Sequence, residues 1–326
     1  MYKVYCTTEY PRPLVDLLSS ACELEVNFTG RPARKDEIKE HLGDTGGLVC
    51  LLNDVIDEDI LAAAPGLKVI TLFAETPVNI DVAAATRRGI RVTNTPGELT
   101  ETTADLTWAL LMAAARRVPE ADAYVRRGLF AGWSPTVLLG ADVYGKTLGI
   151  IGLGKIGAAV ARRARGFGMK IIYSAAHGSK ADLEREIGCQ PVPLDQLLRE
   201  ADFVTITCKL TPETHHLIGA AELALMKESA FLVNTARGPI VDEAALVESL
   251  RRGRLAGAGL DVFEDEPRLK LGLAELRNVV LSPHIGVASR DNRFSMARIA
   301  ATNMLAGLRG DRPPNLVNPE VEKVKR

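Results

Sequence analysis

The sequence predicts an α/β fold of two doubly wound lobes, and three observations lead there. The chain has 326 residues, more than one hydrophobic core usually serves, since a single core stops growing at roughly 250–300 residues. Short β-rich runs alternate with helical patterns in two separate series, with a long helical stretch between them. In the second series a glycine-rich turn, G-L-G-K-I-G at residues 152–157, lies directly between an apolar strand and a helix.

The first series reads as strands at residues 2–6, 24–28, 47–51, 68–73 and 90–92, separated by helical segments such as 34–41 and 58–63. Residues 99–117 then read as one helix joining two domains, with Thr103 and Asp105 near its start and Leu106, Leu110, Leu111 and Ala114 along one face. A second series follows. T-L-G-I-I-G-L after Lys146 has the continuous apolarity of a buried parallel strand, and a helix runs from Lys155 to about Gly166. Further strands are expected at 170–173, 203–207, 230–234, 257–261 and 279–282, six in this series, and six strands alternating with helices suggest a doubly wound dinucleotide fold. The last helix is expected at Arg290–Arg309, before a tail whose three prolines stop it.

Composition narrows the function. With 47% hydrophobic and 25% charged residues the chain is an ordinary globular one, and a net charge of −1 leaves no electrostatic footprint for nucleic acid or an anionic membrane. Cys6, Cys22, Cys50, Cys189 and Cys208 form no CxxC pair and no cluster with metal-ligand spacing, so reduced thiols and no metal site are expected. No signal-like apolar run opens the sequence and none of roughly 20 residues follows, which predicts a soluble cytoplasmic protein. Small-molecule chemistry is the remaining expectation.

In the glycine turn, Gly152 makes the tight bend, Gly154 admits the backbone to a pyrophosphate, and Gly157 lets helix and strand pack closely. Lys155 and Ile156 open the helix whose N-terminus favours negative charge. An NAD site normally has a carboxylate about 20 residues on, at the end of the next strand. This chain has Ser174, Ala175 and Ala176 there, then His177, Ser179 and Lys180, which could meet a 2′-phosphate. NAD or NADP is expected, with a lean to NADP; a plain solvated turn that accepts either cofactor is the alternative.

Three charged segments close the argument: V-N-T-A-R-G ending at Gly238, G-L-D-V-F-E-D-E-P ending at Pro267, and S-P-H-I-G ending at Gly286. Each follows a predicted parallel strand and so falls at the carboxyl edge where doubly wound folds bind ligands. A guanidinium to grip a carboxylate, a general acid, and a carboxylate to orient it are what reduction of a 2-keto acid requires. Arg237, His284 and Glu266 supply them, with Glu264 the neighbouring alternative to Glu266.

These motifs, with L-T-P-E-T after Lys209, resemble the D-isomer-specific 2-hydroxyacid dehydrogenase family, most closely its glyoxylate/hydroxypyruvate reductases, from about Gly66 to Asn318. The resemblance implies an NAD(P)-dependent hydride transfer to and from a small 2-keto or 2-hydroxy acid. Arg237 would bind the substrate carboxylate and keto oxygen, His284 carry the proton, and Glu266 hydrogen-bond the imidazole and raise its pKa. Asp261 would take the nicotinamide carboxamide, and Thr103, Ala175, Cys208, Thr235 and Ala236 would line the cofactor cleft. It also implies a discontinuous fold: a flavodoxin-like substrate domain, residues 1–99 plus 288–326, around an inserted Rossmann dinucleotide-binding domain, residues 100–287. A homodimer is implied too; Trp133 either contacts substrate across it or is plain packing. A nucleotide-sensing protein resembling the C-terminal-binding corepressors, and a catalytically impaired family member, are the alternatives.

The chain departs from the family pattern where a glycine-containing loop, typically V-G-x-D-N-I-D, should hold the substrate carboxylate. Here Glu75, Thr76, Pro77 and Val78 precede Asn79-Ile80-Asp81. Thr76 replaces the glycine, Pro77 has no N–H to give, and Glu75 brings a charge that would repel an anion about 4 Å away by roughly 4 kcal/mol at an effective dielectric of 20. Val287 stands for the usual serine after P-H-I-G, and Lys209 for a proline or serine. Glu75 and Thr76 are therefore expected to select the substrate, an acid other than glyoxylate that carries a hydroxyl or amino group.

Overall fold

In a computed structural model, which describes residues 1–97, 99–176 and 178–324, the chain divides into two units, Met1–Leu99 with Ala288–Arg326, and Thr100–Val287. His177, a candidate phosphate contact, lies outside the described residues.

The first unit runs β1 (Lys3–Cys6), α1 (Arg12–Ser19), β2 (Glu23–Val26), α2 (Lys35–Glu40), β3 (Gly47–Cys50), α3 (Glu58–Ala62), β4 (Val69–Leu72), α4 (Val82–Arg87) and β5 (Arg91–Thr93), and adds the C-terminal helix Arg290–Arg309. Its parallel strands lie in the order β2-β1-β3-β4-β5, the flavodoxin-like arrangement. Period-two alternation sorts the side chains. Val4, Val49 and Val69 face α1 and the C-terminal helix, against Leu14, Met296 and Met304. Tyr5, Leu48 and Ile70 face the opposite layer, against Ile38, Ile60 and Ala84. The helices α1 and α4 were not singled out from the sequence; both are short, and Asp81 caps α4 by accepting the Ala84 N–H.

The tail after the last helix closes the sheet. Val317 donates its N–H to Val92 O at 2.8 Å. Asn318, 1% exposed, accepts the Val92 N–H at 2.8 Å and donates to Ile90 O and Thr86 Oγ1. An edge strand that would otherwise present open backbone groups is thereby covered.

The second unit comprises α5 (Leu99–Ala115), α6 (Val118–Arg126), β6 (Thr147–Ile151), α7 (Lys155–Ala164), β7 (Lys170–Ser174), α8 (Ala181–Ile187), β8 (Gln190–Pro191), α9 (Leu194–Glu200), β9 (Phe203–Ile206), α10 (Ala220–Leu225), β10 (Phe231–Asn234), α11 (Glu243–Arg251), β11 (Gly257–Leu260) and β12 (Val279–Leu281). Its parallel sheet has the order β12-β11-β10-β9-β6-β7-β8, the Rossmann winding with one strand added beyond it. Two expectations need correction. The six strands expected are seven, because Gln190–Pro191 adds a two-residue exposed edge strand that carries a proline and no apolar alternation. The helix expected at 99–117 ends at Ala115: Arg117 takes φ +54° and a separate helix, α6, begins. Pro119 explains the break, since it cannot donate within a continuous helix and restricts the residue before it.

Asn318→Ala strands the Val92 N–H in a buried setting and should lower unfolding stability by about 1–3 kcal/mol, measured by urea denaturation.

Candidate active site

The carboxyl edge of the Rossmann sheet is built from the loops that leave its strands, chief among them those after β6, β10, β11 and β12. After β6, Gly152 has φ +96°, and a Cβ there would sit 2.6 Å from the Cys208 backbone, so no L side chain fits. Gly157 meets the Gly152 carbonyl, 2.4 Å from where its Cβ would lie, and Thr207 Oγ1 donates to that carbonyl at 2.7 Å. Above Gly154, the cap of α7, the space is open. The first turn of α7, from Lys155 through Ile156 to Gly157, therefore offers backbone N–H groups towards a free region. That cradle fits a dinucleotide pyrophosphate.

Thr103, Cys208, Thr235 and Ala236 belong to the same edge. Cys208 lies against Gly152 and is half-buried, and burial raises its thiol pKa. Thr103 lies beside Gly286. Thr107, which the sequence did not flag, accepts no special motif but connects the Thr103 carbonyl to Thr235 Oγ1, each at 2.8 Å. Ala175, half-buried, packs on the core beneath. The turn after β7 holds a surprise. Glu184, from α8, reaches it and accepts from Tyr173 Oη, Ser179 Oγ and the Lys180 N–H at 2.6–2.7 Å. The Tyr173 and Ser179 hydrogen bonds lead in holding its carboxyl below the usual range. A carboxylate is thus present near the turn, engaged by three donors; a scan of the strand end alone could not find it.

After β10, Asn234 shapes the arginine loop, donating to Arg237 O and accepting the Ala236 N–H, both at 3.0 Å. Arg237 is exposed and, among the described residues, makes no ion pair; its Nη1 donates to Ala236 O. Gly238 follows, and a Cβ on it would lie 1.9 Å from the Phe263 carbonyl carbon. The loop after β11 is pressed directly on the loop after β10.

That third loop carries Glu266. Its Oε1 accepts the Phe263 N–H at 2.9 Å and its Oε2 meets His284 Nδ1 at 2.8 Å. Burial pushes the Glu266 carboxyl up, but the His284 hydrogen bond, the Phe263 N–H and the charges of His284 and Arg237 together hold it below the ordinary value. Glu264, the alternative, points elsewhere, to His216 Nε2 at 2.8 Å.

After β12, His284 adopts φ +53°, a left-handed conformation that a non-glycine residue keeps only when its surroundings impose it. Asp261 imposes it. The buried Asp261 accepts Ser282 Oγ at 2.6 Å, the Ile285 N–H at 2.9 Å and the Gly286 N–H at 2.8 Å, and its own carbonyl takes the His284 N–H at 2.9 Å. The sequence reading gave this aspartate to the cofactor alone; its principal contacts in the structure are with the histidine turn.

In the first unit, Glu75 and Thr76 are exposed on the loop after β4. Thr76 is not in the left-handed region, so the backbone there does without glycine. Asn94 Nδ2 donates to the Glu75 carbonyl, and Asn79 Nδ2 donates to Leu51 O and Asp54 O at 2.8 and 2.6 Å, tying this loop to the one after β3. Trp133, in the second unit, is 87% exposed, so packing within its own chain does not account for it.

A Rossmann sheet with a glycine cradle and an Arg–Glu–His set on one edge defines a nicotinamide-dependent oxidoreductase. The model of the D-isomer specific 2-hydroxyacid dehydrogenase NAD binding domain matches residues 108–286. A glyoxylate reductase of Korarchaeum cryptofilum is 51% identical over 99% of this chain and 98% of its own, and that of Thermococcus litoralis 47% identical over 98% and 97%. The crystal structure of an NADPH-dependent glyoxylate/hydroxypyruvate reductase from Sinorhizobium meliloti, with NADP and malonate, is 30% identical with a TM-score of 0.79, covering 100% of this chain and 99% of that one. The chain belongs to the D-isomer-specific 2-hydroxyacid dehydrogenase family. It is an NAD(P)-dependent enzyme that transfers a hydride between a nicotinamide cofactor and a small 2-keto or 2-hydroxy acid; the similarity gives no support to the nucleotide-sensing alternative. Among the described residues no helix is long and apolar enough to cross a membrane.

Because Glu266 ionises more readily in the folded state than in the unfolded chain, its pairing stabilises the protein above the unfolded carboxylate pKa and is lost as pH falls through the folded one. The stability difference between wild type and Glu266→Gln should therefore shrink as pH drops from about 5 to about 3, read by urea denaturation at each pH. Both side chains are more than a third exposed, so the change is modest.

Proposed function

We propose that Arg237, His284 and Glu266 carry the reaction, and that the observation bearing most weight is the 2.8 Å contact of His284 Nδ1 with Glu266 Oε2. With Nδ1 engaged, Nε2 is left to face substrate and hands its proton to the keto oxygen as the carbon is reduced. Glu266, ionised, fixes the ring and stabilises the charged imidazole. Arg237, with no ion pair among the described residues, grips the substrate carboxylate with a fork of donors that a lysine lacks. The nicotinamide supplies the hydride to the α-carbon, or takes it in the reverse direction. Asp261 sets the height of His284; a carboxylate has lone pairs enough to accept a carboxamide as well.

The unit Thr100–Val287 is the cofactor domain, with Gly152, Gly154, Lys155, Ile156 and Gly157 at the pyrophosphate and Thr103, Ala175, Cys208, Thr235 and Ala236 along the dinucleotide. The other unit is the substrate domain, through Glu75 and Thr76. NADP is preferred. No carboxylate occupies residues 174–180, Glu184 has one oxygen, Oε1, engaged by three donors of the turn, Lys180 is at hand, and the Sinorhizobium relative is NADPH-dependent. The relatives named glyoxylate reductase and the Sinorhizobium glyoxylate/hydroxypyruvate reductase support a substrate of the glyoxylate/hydroxypyruvate class, within which exposed Glu75 favours an acid bearing a hydroxyl or amino group.

Oxidation of NADPH and NADH is measured against glyoxylate, hydroxypyruvate and pyruvate for wild type, His284→Ala and Glu75→Val. Expected are loss of at least about 100-fold in kcat for His284→Ala, higher kcat/KM with NADPH, and a shift towards glyoxylate in Glu75→Val. Undiminished turnover in His284→Ala would sink the assignment of roles, and an unaltered substrate ranking in Glu75→Val the role of the loop.

The chain acts as a homodimer. Phe130, Trp133, Leu139 and Tyr144 are all more than half exposed on the segment that follows α6, more apolar surface than one stretch of a monomer normally leaves in water. Light scattering should give twice the chain mass for wild type and a monomer for Phe130→Glu combined with Trp133→Glu.

A further inference from the structure

The geometry of the Glu266–His284 pair depends on how the loop after β11 is held, and one buried acid outside the reacting set holds it. Glu243, the first residue of α11, is 2% exposed. An acid there could serve the helix dipole from the surface, yet this one turns inward, and its Oε1 accepts the Glu264 N–H at 2.9 Å. Its Oε2 is buried as well, with the Lys270 N–H close by, and burial is a costly placement for a carboxylate. Burial raises its pKa, opposed by the Glu264 N–H, with the Glu264 charge adding to the rise and both the N–H and the charge of Lys270 acting against it.

Around Glu243 the two loops are joined. Gly238 rests on the Phe263–Glu264 peptide. The Glu264 carboxylate binds His216 Nε2 and lies 3.5 Å from Lys270 Nζ, which also meets Asp265 at 2.9 Å. His216, with φ +51°, donates its N–H to Pro239 O at 2.8 Å. Glu243 thus stands at the end of the arginine loop and grasps the backbone of the loop that bears Glu266, two residues before it.

We propose that Glu243 is a positioning residue for proton transfer: by accepting the Glu264 N–H it fixes the turn from Phe263 to Glu266, and with it the position at which Glu266 meets His284. Glu243 touches neither substrate nor cofactor in this account, and its effect passes through Glu266. The inference rests on the proposed roles of Glu266 and His284.

Glu243→Gln keeps an acceptor for the Glu264 N–H, whereas Glu243→Met keeps the volume and removes it. The Gln variant should retain kcat within about threefold. The Met variant should lose about 10-fold or more, as small displacements at a reacting centre do, with NADPH affinity unchanged and the pH profile of kcat/KM displaced. Equal kcat and equal pH profiles in the two variants would overturn the proposal, as would failure of both to fold, which would make Glu243 a structural residue. His284→Ala, run alongside, separates the outcomes: if it retains turnover, the underlying assignment fails; if it is inactive while Glu243→Met matches wild type, only the positioning role fails.

Discussion

The contact of Gly238 with the Phe263–Glu264 peptide is the constraint from which the rest of the site follows. Two parallel strands, β10 and β11, end side by side, and the loops leaving them could diverge into solvent. With no side chain at 238 the backbones touch, so the arginine delivered by one loop and the carboxylate delivered by the other stay within electrostatic reach, as the influence of Arg237 on Glu266 shows. An alanine would force apart peptides that have no alternative place to go.

The histidine is held by a different device. Its left-handed backbone is intrinsically unfavourable, and the opposing stabilisation comes from Asp261, whose buried carboxylate collects one hydroxyl and two backbone donors from the turn around it. Charge-assisted bonds in a low-dielectric setting are strong enough to fix a strained turn. The imidazole is thereby clamped twice: the backbone by Asp261 and the ring by Glu266. In the proton-carrying role proposed for it, a ring so constrained would lose little orientational freedom when substrate arrives.

Much of the fold was legible because its signals are local and periodic. Buried parallel strands such as Thr147–Ile151 are apolar without interruption, and the turn after it needs glycine for steric reasons visible in one line of sequence. The last helix, Arg290–Arg309, was read from its amphipathic pattern and the prolines beyond it, and in the structure Ser289 caps it and Gly310 ends it. What escaped was non-local. Gln190–Pro191 is a strand only because β7 lies next to it. Glu184 and Glu243 sit on helices, where an isolated acid reads as a solvated charge, and only the folded chain shows each collecting backbone donors from a loop. Between Glu264 and Glu266, two residues apart, the spacing from Arg237 and the place before Pro267 already favoured Glu266, and the folded chain adds the directions: one points to His216, the other to His284.

The cover that residues 316–318 place over β5 bears on the order in which the chain matures. The sheet of the first unit draws strands from the first 93 residues, yet its packing helix and its edge cover come from beyond residue 288. During synthesis the Rossmann unit, continuous in sequence, emerges whole and can fold while the earlier strands still wait for their last partners. Until then β5 presents bare backbone and the Val4–Val69 face stays open, surfaces prone to pair with other chains. The nascent protein is therefore most exposed to aggregation in its earliest-made part, and that exposure ends only as the tail arrives.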